Sequence, residues 1–157
     1  MKPRVIIYSD GACSPNPGLG GWAAVLLEEG GQRRELWGAV PDTTNQRMEL
    51  KGAIEGLRAL EHPSAVTVNT DSKYVQNAFV KGWLTRWLSN GWLTAAKKPV
   101  ENQDLWLELV ELTATHTVEW VWVPGHADVV ENNRCDELAV AARERLRDER
   151  HQGNRGD

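Results

Sequence analysis

Two short runs of β-branched residues, RVIIYSDGA near the N-terminus and SAVTVNTD in mid-chain, each run into an aspartate. Alternation makes the first a strand with Ile6, Tyr8 and Asp10 on one face and Val5, Ile7 and Ser9 on the other. A carboxylate on a packed sheet is costly to desolvate unless a cation or hydrogen-bond donors meet it, so Asp10 is either a turn former or a ligand. Read alone, Asp10-Gly11 ahead of ACSPNPGLGG favours the turn. Asp71, ahead of SKYV, reads by itself as a helix cap.

What lies between the two runs changes that balance. GWAAVLLEE, GGQ and RRELWGAV read as strand, turn and strand of an antiparallel meander. PDTTNQRMELKGAIEGLRALEH follows as a helix, capped by Thr43 or Thr44, with Leu50, Ala53, Ile54, Leu57 and Leu60 at helical spacing and Pro63 as its stop. Such a helix permits a right-handed crossover, which would set the two acid-ending strands side by side and parallel. Their carboxylates would then meet where open α/β sheets place their crevice. Glu49 lies beside the apolar stripe, one turn before Ala53, and could join them.

SKYVQNAFV and ENQDLWLELVELTA continue as helices, HTVEWVWVP as a last strand, and ENNRCDELAVAARERLRD as a closing helix that buries Cys135, Leu138, Ala139 and Ala142. Asp136 near its start could point at the same crevice. Singly, Asp136 is a favourable acid in a first helical turn and Glu49 a solvated helix residue; the convergence of four acids is what those readings leave unexplained. Packed carboxylates repel and must hold protons or cations. Oxygen-only ligands without a His or Cys cluster suit Mg²⁺ or Mn²⁺. Two such ions about 3.5–4 Å apart can activate a water and stabilise the leaving oxygen of a phosphodiester displacement.

The 157 residues, 41% hydrophobic and 25% charged, predict one globular domain over residues 1–147 and a polar, disordered tail over 148–157. Cys13 and Cys135 have no CxxC spacing and read as free thiols. No apolar run is long enough to cross a bilayer and the first residues are not signal-like, so a cytoplasmic monomer without membrane contact is expected. A net charge of −4 argues against holding polyanions by bulk electrostatics; a nucleic acid would need a local patch or metal ions.

SDGACSPNPGLGGW, TTNQRMEL, TDSKYV, GWLTRWLSNGWLTAAKKPVENQDLW and WVPGHADVVENNRCDELA, in that order, resemble a type 1 ribonuclease H from about residue 4 to residue 145. The resemblance implies the ribonuclease H-like α/β fold: a five-stranded mixed sheet in order 3-2-1-4-5, strand 2 antiparallel, with helices on both faces. It implies that Asp10, Glu49, Asp71 and Asp136 bind two Mg²⁺ ions and cleave the RNA strand of an RNA–DNA hybrid to 5′-phosphate and 3′-hydroxyl ends. His126 is assigned proton handling or product release, although a lone His is more often structural. Cys13, Asn16, Asn45, Gln46 and Glu49 match groups that recognise 2′-hydroxyls, the feature separating RNA from DNA. Thr44 and Arg86 match positions near a DNA-phosphate pocket. Trp83, Trp87 and Trp92, with Lys97 and Lys98, match a handle for the DNA strand; read alone, the i,i+4 pair Trp83 and Trp87 is as readily core. Leu84, Leu88 and Leu93 stand where strong handles are more basic. The alternatives are a catalytically silent hybrid-binding module and a DNA nuclease of the same fold.

Overall fold

The computed structural model describes the backbone of residues 2–124 and 129–155 and the side chains through residue 152. The meander is β1 (Arg4–Cys13), β2 (Gly18–Glu28) and β3 (Arg33–Thr43), followed by α1 (Asn45–Arg58) and β4 (Ala65–Thr70). Three helices come next, α2 (Lys73–Val80), α3 (Trp83–Asn90) and α4 (Gln103–Thr115), then β5 (Thr117–Trp122) and α5 (Val130–Arg155). The sheet order is β3-β2-β1-β4-β5. β2 is antiparallel to both neighbours, while β1, β4 and β5 run parallel. This is the fold expected from the sequence.

Helices cover both faces. Ala23, Ala24, Val25 and Leu26 of β2 are all fully buried, which is why this stretch is continuously apolar rather than alternating. Ala24 and Leu26 join Ile7, Val68, Leu50, Ile54, Leu57, Trp106 and Leu109 in the larger core. Ala23 and Val25 meet Cys135, Leu138 and Ala139 of α5 on the opposite face. Burial pushes the Cys135 thiol pKa well up, and its Sγ donates to the Tyr8 carbonyl at 3.2 Å, so this cysteine is a packing residue.

Several boundaries differ from expectation. β1 does not end at Asp10: it stays paired with β2 as far as Cys13 opposite Gly20, so Asp10-Gly11 is inside a strand and the turn lies after it. Thr44, not Thr43, caps α1, its Oγ1 accepting from Arg47 N at 3.2 Å. α1 closes at Arg58, short of Pro63, as Leu60 N tightens onto the Leu57 carbonyl. Asp71 is not the cap of α2; Ser72 is. The helix of α5 continues to Arg155, past residue 148 where it was expected to have ended.

Candidate active site

Because Ser9 pairs with Thr70 across β1 and β4, Asp10 and Asp71 sit one residue beyond the last pair, side by side at the carboxyl edge of the parallel strands. α1 brings Glu49 to them: a Cβ placed on Gly11 would overlap the Met48 carbonyl carbon and the Glu49 amide, so only glycine lets the first turn of α1 lie against β1 there. Leu138 and Ala139 seat α5 on the other face of the sheet, carrying Asp136 in. The four acids line one cleft of about 440 Å³ together with Cys13, Asn45, Asn132 and Arg143. A smaller cavity of about 230 Å³, lined by Arg4, Glu28, Glu29, Arg34 and His62, mixes acids with bases, and Arg34 is paired there with Glu28 at 3.0 Å.

The electrostatics of the cleft are those of a site where acids outnumber cations, four to one among the described lining residues. Asp10 is 6% exposed, and its pKa is pushed up to about 8, first by burial and then by the charge of Asp71, with Asp136 and Glu49 adding to it. A hydrogen bond from Gly11 N to Asp10 Oδ1 at 2.8 Å offsets only part of this. Glu49 is also raised by burial and by Asp71, while its Oε2 accepts from Ser72 Oγ at 2.6 Å. Ser72 Oγ in turn accepts from Val75 N at 3.2 Å, so one hydroxyl caps α2 and holds Glu49. The Trp122 indole N–H donates to the Asp71 carbonyl at 3.2 Å, and Lys73 Nζ lies 4.0 Å from that ring's centroid.

All-oxygen donors, clustered so that one acid retains its proton near neutrality, are the chemistry of a hard divalent cation site. Among the described residues, however, no group of three or more His, Cys, Asp or Glu side chains is already drawn into a metal cage. The residue types fit the ions.

The other expected residues fall into three groups. Cys13, Asn16 and Asn45 form one network at the mouth of the cleft: Asn45 Oδ1 accepts from Cys13 N at 2.7 Å, and Asn45 N donates to Asn16 Oδ1 at 3.2 Å. Thr44 and exposed Gln46 flank it at the start of α1. Trp83, Arg86 and Trp87 instead line a separate hollow of about 330 Å³ on α3. Trp87 packs edge-on against the fully buried Trp106 with centroids 5.5 Å apart, and Trp83 and Trp92 lie 6.1 and 5.9 Å from Trp87, so these rings do rest on the core. Lys97 and Lys98 are exposed on the loop before α4. His126 lies outside the described residues.

Sequence reasoning missed Ser72, Trp122, Asn132 and Arg143. Ser72, directly after a strand-ending acid, carried a helix-start signal that was available. Arg143 falls seven residues after Asp136, two turns along the same helix face, and this too could have been read. Trp122 and Asn132 gave none: the first depends on a backbone carbonyl, and the second, 3% exposed, has an Oδ1 without a partner among the described residues.

The family model for RNase H matches residues 2–144. A Ribonuclease H of Symbiobacterium thermophilum is 62% identical over 139 residues, spanning 88% of this chain and 94% of the relative. That of Moorella thermoacetica is 60% identical over 144 residues, spanning 92% and 94%. The crystal structure of LC9-RNase H1, described as a type 1 RNase H with the type 2 active-site motif, superposes with a TM-score of 0.81 at 32% identity, covering 92% of this chain and 74% of that one. With its 3-2-1-4-5 sheet and a cleft lined by four acids, the chain belongs to the ribonuclease H family.

Proposed function

We propose that the chain is an endonuclease that hydrolyses the RNA strand of RNA–DNA hybrids to 5′-phosphate and 3′-hydroxyl ends, with Asp10, Glu49, Asp71 and Asp136 holding two divalent ions, Mg²⁺ or Mn²⁺. The observation that carries this is the convergence of the four acids on one cleft, with Asp10 and Asp71 side by side at the strand ends and burial and the neighbouring charges raising the Asp10 carboxyl. A group so placed exchanges its proton for a cation readily. When bound, the ions supply Lewis acidity and a water acidified enough to attack a phosphodiester.

The chain's own residues supply placement. Asp10 and Asp71 are fixed by the β1/β4 register, and Glu49 by Ser72 and the α1 approach at Gly11. The Cys13, Asn16 and Asn45 network stiffens the mouth, so that it and Gln46 can meet the 2′-hydroxyls of a strand lying in the cleft. His126, between β5 and α5 in sequence, is assigned proton handling or product release. Thr44, Arg86, Trp83, Trp87, Trp92, Lys97 and Lys98 are assigned to the DNA strand, with the tryptophans serving the core as well. Residues 1–147 form the catalytic domain of a cytoplasmic monomer on this reading.

The test is cleavage of matched RNA–DNA hybrid, RNA duplex and DNA duplex, each with and without Mg²⁺. Cutting of the hybrid alone, dependent on Mg²⁺ and reduced to background in Asp10→Asn, is expected. Equal cutting of the DNA duplex would instead make the chain a DNA nuclease of the same fold, and binding without cutting a silent module.

A further inference from the structure

Four acids and two divalent ions balance in charge, which leaves the phosphates beside the scissile one without a counter-charge. Among the described residues lining the acid cleft, Arg143 is the only cation. It sits on α5 seven residues beyond Asp136, about 10 Å along the same helix face. Its side chain is only 15% exposed, so it is packed into the cleft wall rather than waving in solvent.

What holds it there does not tie the fold together. Nε and Nη2 both meet Glu144 Oε1, at 3.1 and 3.0 Å, within one helix and between adjacent residues. Glu144 also receives Arg147 Nη1 at 3.1 Å, while Arg147 Nη2 reaches across to the Ser14 carbonyl, so the tertiary link belongs to Arg147. Glu144 therefore occupies Nε and Nη2 and leaves Nη1, with two N–H donors, no partner among the described residues. The backbone beneath is fixed too: a Cβ on Gly21 would lie 3.0 Å from Arg143 N, so β2 and α5 are in direct contact at this point.

We infer that Arg143 is a phosphate-binding residue for the RNA strand, gripping one phosphodiester near the cut through the guanidinium edge that Glu144 leaves open. The strand follows from position: Arg143 shares the cleft with the acids that act on RNA, whereas the hollow assigned to the DNA strand lies on α3. This rests on the hybrid-cleavage reading of the cleft. Guanidinium pairs bidentately with phosphate, so lysine would replace it incompletely.

The test measures kcat and KM on a hybrid across a range of KCl for the native protein, Arg143→Ala, Arg143→Lys and Glu144→Gln, with melting temperatures recorded for each. Arg143→Ala is expected to raise KM several-fold with kcat nearly kept, and to reduce the slope of log(kcat/KM) against log[salt] by about one phosphate contact. Arg143→Lys should keep the slope and recover part of KM. Glu144→Gln, which breaks the ion pair but keeps the guanidinium, should keep KM within about twofold. Neutral methylphosphonate linkages walked along each strand should reveal one RNA position that weakens the native protein and not Arg143→Ala. A native salt slope and KM in folded Arg143→Ala, a Glu144→Gln variant matching Arg143→Ala, or a sensitive linkage on the DNA strand would each overturn the assignment. Failure of the native protein to cut hybrid at all would overturn the reading beneath it as well.

Discussion

At Asp10 a single side chain carries a measurable signature of the whole site. An acid whose pKa rises from 3.8 to about 8 on folding binds its proton more tightly in the folded state. Between those two values the folded protein holds more protons than the unfolded chain, so stability falls as pH rises through this window. Metal-free protein should therefore melt lower at pH 8.5 than at pH 5, and Asp10→Asn should flatten the profile and raise the melting temperature at pH 8.5. About 2–4 °C per kcal/mol is expected for a chain of this size. Mg²⁺ should stabilise the native protein more at pH 8.5 than at pH 5, since at the lower pH a proton already occupies the site. Parallel melting curves for the native protein and Asp10→Asn would show that the carboxyl is not strained. The identity of this acid was legible because a β-branched strand running into Asp is unusual; its perturbation was not, since the neighbours responsible lie 39, 61 and 126 residues away in sequence.

Among the elements, α2 shows one residue serving two masters. Ser72 Oγ caps the helix through Val75 N and holds Glu49 Oε2. These roles separate by substitution. Ser72→Ala removes the cap at about 1 kcal/mol, whereas glycine at an N-cap costs only a few tenths. Both remove the hold on Glu49. Thermal melts should thus rank native, Gly and Ala in falling order, while hybrid cleavage drops equally in Gly and Ala. Activity that instead follows stability would mean that Glu49 needs no partner. Periodicity located the five strands and four of the helices, because apolar spacing reports directly which face is buried. The exception is α3, which was not set out as an element of its own, its i,i+4 tryptophans being read only as a shared face. Ends were harder. β1 extends past Asp10 because β2 supplies partners for Gly11, Ala12 and Cys13, a fact of the neighbouring strand and not of the local sequence.

The whole molecule joins the site across both faces of the sheet, with Glu49 arriving from α1 and Asp136 from α5. Nothing local to either helix sets the distance between them; the thickness of the sheet and the closeness of each helix to it do. For α5 that closeness is decided at Gly21, where a Cβ would collide with the Ala139 carbonyl three residues beyond Asp136. Gly21→Ala should push α5 outward, at a cost of about 1–3 kcal/mol in overpacking. Asp136 and Arg143 move with it, so kcat should fall and KM rise together. A control separates this from lost stability: Leu109→Ala, on the buried face of α4, should cost about 2–5 kcal/mol by opening a cavity. Assayed at a temperature where both variants are folded, Leu109→Ala should keep native kinetics despite its lower melting temperature. Native kinetics in Gly21→Ala would mean that the seat of α5 does not set the position of Asp136, and that the fourth carboxylate finds the cleft by side-chain motion alone.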